Sequence, residues 1–310
     1  MSPGLASPIY NLIVVSVEVD NRQSVSHRII LGTANFGFPY GLSQNIVDSS
    51  EMELLMREAI ENPRLLVETS PSYPNAEKII GSHLKSVEFD RLVVKVPPSE
   101  YSSASRIVNS VESSLAQINQ KKAAVVMLHG LGSFFRQDSR AVESACEKII
   151  DLKYTTHIGI SCYTEEEIVF AKKSLPILRT FQISENLADR RKRNSKILQS
   201  MHQEGDTFQV RSIFLQGLLT KNIADIPTNL KDLLPVRYYM QKEASKLRIS
   251  EQELCIEYAK NIPWMSDVVI GVDTHSQLRF NMQVLFNTRK LQIEPGPTAN
   301  DFVVDPRNWS

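Results

Sequence analysis

Short apolar runs recur between residues 27 and 271, and longer segments with apolar residues at helical spacing lie between most of them. Because the runs are continuous and do not alternate with polar positions, they are typical of strands in a parallel sheet covered on both faces. Eight strands are predicted, at 27–33, 65–69, 91–96, 123–129, 156–161, 180–184, 208–212 and 267–271. A first helix capped by Ser49 or Ser50 is followed by helices at 75–86, 103–120, 139–153, 164–174, 190–204, 237–248 and 251–261.

The alternation of eight strands with helices predicts an α/β fold, namely a closed (β/α)8 TIM barrel that forms a single domain over residues 27–310. An open doubly wound sheet is the alternative. That arrangement needs a glycine fingerprint directly after the first strand, with a helix starting at once. Gly32, Gly37 and Gly41 have the wrong spacing and the first helix starts late, so the sequence favours the barrel.

Three segments lie outside this alternation. Residues 1–26 are predicted to form an N-terminal extension. The connection 213–236 is longer than is usual in α/β folds, and its apolar content predicts an ordered lid. Residues from 287 onward, with Pro295 and Pro297, are predicted to form a coil laid over the barrel.

The balance of charge favours a small-molecule partner. Lys plus Arg and Asp plus Glu number 35 each, so no net field would attract nucleic acid or an anionic membrane. The basic run 190–193 has no aromatic residues between its charges, and we interpret it as the solvated start of a helix. Paired histidines or cysteines with the spacing of metal ligands are not evident, so no metal is expected.

Cysteine usage points to a reducing compartment. Cys146, Cys162 and Cys255 are few and odd in number, which does not suit a disulfide framework. The apolar run 12–17 is far shorter than the ~20 residues of a membrane-spanning helix, and no basic region precedes it as in a signal peptide. We therefore expect a soluble cytoplasmic protein with no membrane partner, and the sequence carries no signal for an oligomeric state.

Polar side chains stand where several predicted strands end. Glu68, Lys95 and His129 each close an apolar run, and Tyr73 follows Glu68 in the loop before a helix. The carboxyl ends of barrel strands meet on one face, where TIM-barrel enzymes carry their catalytic groups. We therefore expect these four side chains to converge.

The four groups suit the reduction of a carbonyl, whose oxygen must be protonated or hydrogen-bonded as negative charge develops. Tyr73 is the candidate acid. Because an ordinary tyrosine has a pKa of ~10, a nearby cation is needed to stabilise the phenolate, and Lys95 is that cation. Glu68 would hold the ammonium group, and His129 would orient the carbonyl.

The stretch ETSPSYPNAE at 68–77, followed by Lys95 and His129 at two later strand ends, resembles the signature of the aldo-keto reductase superfamily. The resemblance extends from about residue 31 to residue 281. It implies a nicotinamide cofactor, NADP(H) or NAD(H), which supplies the hydride that no side chain can supply. Two positions depart from the signature, because Glu68 replaces an aspartate and Pro74 replaces a glycine.

The resemblance also implies the residues that contact the cofactor. Ser161 and Gln182 match groups that hold the nicotinamide carboxamide, although Cys162 replaces the asparagine usual beside them. Arg211 stands where many relatives have a tyrosine, and its planar guanidinium would cover the nicotinamide face. The remaining positions are Gly32 and Thr33 at the end of the first strand, Ser212, Leu215, Gln216 and Gly217 around the pyrophosphate, and Gly271, Val272, Gln277 and Asn281 near the adenosine.

The adenosine end predicts no marked preference for NADPH. Relatives that bind NADP strongly offer a lysine and an arginine, but Gly271 and Gln277 occupy the matching positions and Asp273 lies nearby. Backbone amides at the start of the helix after Asp273 remain as candidates for a phosphate.

Two further functions were weighed. One is a cofactor-binding protein with weak or no turnover, suggested by Glu68, Pro74 and Cys162. The other is a barrel isomerase or lyase that uses Lys95 as a Schiff-base nucleophile. Such a lysine must be desolvated away from carboxylates, so Glu68 argues against it.

Overall fold

Eight parallel strands close into a barrel in the computed structural model, which describes residues 27–42, 44–131, 139–289 and 291–309. Each strand pairs with the next along the chain, and the first pairs in parallel with the last. The strands are β1 (Arg28–Gly32), β2 (Leu65–Thr69), β3 (Leu92–Val96), β4 (Val125–Leu128), β5 (Ile158–Cys162), β6 (Leu178–Ser184), β7 (Thr207–Arg211) and β8 (Asp267–Gly271). The predicted (β/α)8 TIM barrel is confirmed. The predicted extension at 1–26 lies outside the described residues.

Helices surround the barrel. They are α1 (Ser49–Glu61), α2 (Ala76–Leu84), α3 (Ala104–Gln117), α4 (Arg140–Asp151), α5 (Glu165–Ser174), α6 (Lys196–Gln203), α7 (Leu234–Leu247), α8 (Glu251–Lys260), α9 (His275–Phe286) and α10 (Asp301–Val304). Short 3-10 helices lie at Pro98–Glu100, Ile223–Asp225, Thr228–Leu233 and Pro306–Asn308. Over the described part of the chain, none of the helices combines the length and the apolarity needed to cross a bilayer.

Short polar side chains set where several helices begin. Asp48 caps α1, one residue earlier than predicted, and its carboxylate accepts from the N–H of Ser50 at 2.8 Å. Thr164 caps α5 in a capping box, where its hydroxyl and the carboxylate of Glu167 each accept a backbone N–H. These caps satisfy amides that have no partner within the helix.

The core has two parts, one on each side of the sheet. Ile30, Leu66, Val93, Val125 and Met127 form a small apolar cluster from neighbouring strands β1 to β4. A much larger cluster joins the other strand residues to the helices. Because neighbouring residues on a strand face opposite sides, a continuous apolar run fills both clusters at once.

The basic run 190–193 is not the solvated helix start that we predicted. α6 begins only at Lys196, and two residues of the run, Arg191 and Lys192, form ion pairs with acidic residues. Arg190 and Arg193 donate to backbone carbonyls. Arg191 lies 2.8 Å from Asp189 and 2.6 Å from Asp301, and Lys192 is 4% exposed with its ammonium 2.7 Å from Asp189. These partners were not recognised from the sequence, so the charge run looked solvated.

The lid and the tail both pack on the barrel. Within 213–236, Leu218, Leu219 and Leu233 are fully buried, as expected for an ordered segment. The tail lies over the barrel as predicted, and the N–H of Ala299 donates to the carbonyl of Ala188 at 2.9 Å. Both segments therefore pack around the carboxyl-terminal ends of the strands.

Candidate active site

The inward-facing positions of the strands change from apolar to polar near the strand ends. Side chains two residues apart on a strand share a face, so Glu68 stands above Leu66 and Lys95 above Val93. His129 takes the equivalent position directly after β4. The three groups predicted from strand ends thus meet on one face of the barrel.

Glu68 and Lys95 form a buried ion pair. The Nζ atom of Lys95 lies 2.7 Å from Oε1 of Glu68, and each side chain is 4% exposed. Oε2 of Glu68 accepts from Nε2 of Gln182 at 2.6 Å, and the same Nε2 lies 3.2 Å from Oε1 of Gln209. The longer glutamate therefore keeps the ion pair that an aspartate would be expected to make, and it also reaches the amide of Gln182.

Tyr73 and His129 lie side by side above this pair. Their rings meet edge to face, with centroids 6.0 Å apart and planes at 85°. Burial, and secondly the charge of Glu68, raises the pKa of Tyr73 well above its ordinary value of 10.0, whereas Arg211 lowers it. The phenol is therefore protonated at neutral pH.

The two nitrogen bases of the site are also shifted. Burial lowers the pKa of Lys95, and the carboxylate of Glu68 opposes that shift. Burial, with the positive charges of Lys95 and Arg211, lowers the pKa of His129 to about 3. His129 is therefore a neutral imidazole, able to donate one hydrogen bond and accept another.

We expect the His129 ring to stay neutral down to about pH 5 in the free protein. Its folded pKa of about 3 lies below the ordinary value of 6.5, so the ring gains a proton only in strong acid. Nitrogen-15 shifts of the ring, measured against pH and assigned with His129→Gln, check this. A titration midpoint near the ordinary value would contradict it.

A cavity of about 640 Å³ opens over these side chains. Its wall includes all four predicted catalytic residues, Glu68, Tyr73, Lys95 and His129. It also includes ten of the predicted cofactor residues, namely Gly32, Ser161, Arg211, Ser212, Gln216, Gly217, Gly271, Val272, Gln277 and Asn281. Most of the predicted site is therefore brought together around one space.

Three predicted cofactor residues lie outside the cavity wall. Thr33 is fully buried and donates to the backbone carbonyl of Glu68 at 2.8 Å, which ties β1 to β2. Gln182 is fully buried behind Glu68, to which its amide is bound. Leu215 is fully buried in the large core cluster. These side chains support the site and do not face it.

The loop after β7 has an unusual backbone. Ser212, Leu215 and Gln216 have φ values of 61°, 48° and 52°, which cost energy in residues other than glycine and concentrate at functional sites. Within the described ranges, the N–H groups of Gln216 and Gly217 have no acceptor. Free backbone N–H groups in such loops bind anions. The loop is therefore suited to an anionic group such as a pyrophosphate.

The connection between β8 and α9 is closed by internal hydrogen bonds. The carboxylate of Asp273 accepts from Asn35 at 3.1 Å and from Asn45 at 2.9 Å. At the start of α9, the N–H of His275 donates to Oε2 of Glu51 at 2.6 Å. The helix start therefore already holds a carboxylate, contrary to the expectation that its amides are free for a phosphate.

Asn281 in α9 offers an unsatisfied donor on the cavity wall. Its Oδ1 atom accepts from Gln252 at 2.7 Å, whereas its Nδ2 atom is buried without a partner. A buried donor without an acceptor is costly, which fits a ligand that supplies one.

Several cavity residues were missed in the sequence. Tyr163 directly follows β5, and Tyr40 lies in the loop after β1, so position after a strand was a usable signal for both. Arg307 comes from the tail, and no sequence pattern indicated that it reaches the cavity. Its guanidinium is paired with Asp305, and its Cζ lies 3.7 Å from the centre of the Tyr163 ring.

Two solved structures have the same fold as this chain. The chain is similar to an aldo-keto reductase from Pseudomonas aeruginosa at 17% identity and a TM-score of 0.60, with 83% of this chain and 88% of the other covered. It is also similar to a thermostable aldo-keto reductase solved with the inhibitor epalrestat, at 17% identity and a TM-score of 0.65, with 85% and 90% covered. A search of curated proteins found no match. The sequence model of the Aldo/keto reductase family matches residues 28–294, so the chain belongs to that family.

Proposed function

We propose that the protein reduces an aldehyde or ketone to an alcohol by hydride transfer from a nicotinamide cofactor, with Tyr73 as the general acid. The observation that carries this proposal is the buried Glu68–Lys95 pair, 2.7 Å between charges, next to Tyr73 and His129 on the wall of one cavity. Family membership supports oxidoreductase chemistry in general. A bound NADH or NADPH supplies the hydride.

The side chains of the site handle the proton. Tyr73 enters protonated because its pKa is raised, so it can donate to the carbonyl oxygen as negative charge develops there. The positive charge of Arg211, which lowers the pKa of Tyr73, then stabilises the phenolate that remains. Neutral His129 donates a hydrogen bond that orients the carbonyl beside Tyr73.

The cavity fits a dinucleotide in three respects. The N–H groups of Gln216 and Gly217 suit a pyrophosphate, and the orphan Nδ2 of Asn281 suits a ring nitrogen. Ser161, 6% exposed on the wall, would hold the carboxamide of the nicotinamide. Gln182 binds Glu68 through Nε2, and its buried Oε1 atom, which has no partner, would accept from the same carboxamide.

We predict that NADPH is not strongly preferred over NADH. Because Glu51 occupies the start of α9 and Asp273 lies beside it, a phosphate there would meet two carboxylates. Dissociation constants of both cofactors, followed by quenching of protein fluorescence, measure the ratio. A preference for NADPH above ~10³-fold, about 4 kcal/mol, would show a phosphate ligand missing from this account.

The same titration tests the proposed function. Saturable quenching by at least one cofactor is expected, and its absence with both would remove the proposal. The variant Asn281→Leu provides a matched probe, because it removes the orphan donor while keeping the side chain about the same size. We expect it to weaken cofactor binding by about tenfold, the effect of one lost hydrogen bond.

A second candidate is a cofactor-binding protein with little turnover. Burial and the charge of Glu68 raise the pKa of Tyr73, so the phenol releases its proton less readily. A weaker acid at this position favours the second candidate. Cofactor binding without reduction of any aldehyde would support this candidate. The isomerase or lyase hypothesis loses support, because the ammonium of Lys95 is paired with a carboxylate at 2.7 Å.

We also propose a cytoplasmic location and no nucleic-acid partner. Cys146, Cys162 and Cys255 are free and buried, as suits a reducing compartment. In the basic run 190–193, Arg191 forms ion pairs with Asp189 and Asp301, and Lys192 forms one with Asp189.

A further inference from the structure

Arg211 lies close to the groups that handle the proton, and its hydrogen-bond donors have no assigned ligand. Its positive charge lowers the pKa of Tyr73, of Lys95 and of His129, so the guanidinium lies close to all three. It is partly exposed on the cavity wall at the end of β7. A group bound to Arg211 would therefore be near the reacting carbonyl.

The charge of Arg211 is not balanced by a neighbour. Its guanidinium donates to two neutral oxygens only, Oγ of Ser212 at 3.3 Å and the carbonyl of Cys162 at 3.2 Å. A guanidinium has five N–H donors. Across the described ranges no carboxylate forms an ion pair with it, so three of its donors are without a protein partner on a side chain that lines the cavity.

The acidic residues close to Arg211 accept hydrogen bonds from other groups. Oε2 of Glu167 accepts from the backbone N–H groups of Tyr163 at 2.6 Å and Thr164 at 3.3 Å. Asp305 is paired with Arg307 through both carboxylate oxygens. The charge of Arg211 contributes to the lowered pKa of Asp305, but neither acid forms an ion pair with Arg211.

The position of the guanidinium is fixed in advance. Its Cζ atom lies 4.1 Å from the centre of the Tyr163 ring, against which Arg307 also packs. Stacking on an aromatic ring leaves the in-plane N–H donors of arginine free. Because the side chain is already ordered, less entropy is lost when it binds a ligand.

We propose that the substrate is a carbonyl compound that also carries a carboxylate, and that Arg211 binds this carboxylate. The inference rests on the proposed reduction and specifies its substrate class. A planar carboxylate matches the fork of an arginine with two parallel hydrogen bonds. A carboxylate binds in the plane of the guanidinium, whereas a nicotinamide ring stacks on the face of the guanidinium. Arg211 can therefore bind the carboxylate and still cover the nicotinamide.

Matched pairs of aldehydes test the proposal. The acids 3-formylbenzoate, 4-formylbenzoate and 4-oxobutanoate are each compared with the corresponding amide, which has nearly the same shape and no charge. We expect at least one acid to exceed its amide in kcat/KM by about 10- to 100-fold, the range given by hydrogen bonds to charged groups. If every amide is reduced as well as its acid, the inference fails while the proposed function stands. If nothing is reduced, the proposed function itself fails.

Three variants assign the effect to Arg211. The measured quantity is the ratio of kcat/KM for acid to amide within each variant, because losses common to both substrates cancel. Arg211→Met should bring the ratio close to one, and Arg211→Lys should restore part of it. Arg307→Met should change the ratio less than threefold, since Asp305 already neutralises Arg307. An unchanged ratio in Arg211→Met would overturn the assignment.

A binding measurement separates recognition from turnover. Calorimetric titration of the protein with 4-(hydroxymethyl)benzoate and with its amide, without cofactor, compares the two products directly. We expect the acid to bind about tenfold more tightly in the native protein and equally in Arg211→Met. Equal binding of the two compounds by the native protein would contradict the proposal even if aldehydes are reduced.

Discussion

Replacing Tyr73 by phenylalanine is expected to lower kcat for aldehyde reduction by about 10²- to 10⁴-fold, the range that general acid catalysis supplies. The change removes the hydroxyl that donates the proton and keeps the ring that packs against His129. Cofactor affinity should hardly change, because the proton is needed only in the transition state. Steady-state kinetics and a fluorescence titration of the same preparation measure the two quantities.

Tyr154→Phe is the matched control for this loss. Tyr154 is a partly buried tyrosine packed on the large core cluster, and it is not part of the cavity wall. Loss of its hydroxyl should change kcat less than twofold. Turnover by Tyr73→Phe at the rate of the native protein would refute Tyr73 as the acid.

Glu68→Asp is expected to lower kcat/KM by about 10²-fold, although aspartate is the residue usual in the family signature. Glu68 meets Lys95 at 2.7 Å and Gln182 at 2.6 Å, so the surrounding groups are fitted to the longer side chain. Shortening it by one methylene draws the carboxylate away from both partners. Misplacement by ~1 Å can cost about 10²-fold in rate.

A second buried ion pair supplies the control for Glu68→Asp. Oε1 of Glu257 lies 2.8 Å from Nζ of Lys260 in α8, and both side chains are at most 5% exposed. Glu257→Asp shortens a buried carboxylate in the same way, outside the cavity wall. It should reduce stability without reducing kcat/KM of the folded protein. A Glu68→Asp variant faster than the native protein would instead support the second candidate, in which the native pair impairs turnover.

The barrel was predictable because most of its strands are short apolar runs without regular polar alternation, a pattern typical of a sheet covered on both faces. The catalytic groups were predictable for a related reason. Every second residue of a strand points into the barrel. Leu66 points inward, so Glu68, two positions later, also points inward and lies near the end of the strand. No knowledge of distant contacts was needed.

Contacts between segments remote in sequence could not be predicted. The pairing of Arg191 depends on Asp301 in the tail. The hydrogen bond from Nε2 of Gln182 to Glu68 joins residues 114 positions apart, so the sequence did not indicate it. The approach of Arg307 to Tyr163 likewise depends on where the tail crosses the barrel.

Transfer of deuterium tests the central claim most directly. The protein is incubated with 4-nitrobenzaldehyde, or with an acid that it reduces, and with NADH or NADPH deuterated at the hydride-donating carbon. We expect an alcohol with one deuterium on its carbinol carbon, formed at a rate reduced by about 10²- to 10⁴-fold in Tyr73→Phe. The proposed hydride transfer would be contradicted if the cofactor binds saturably but none of the tested aldehydes gives more deuterated alcohol than heat-inactivated protein does.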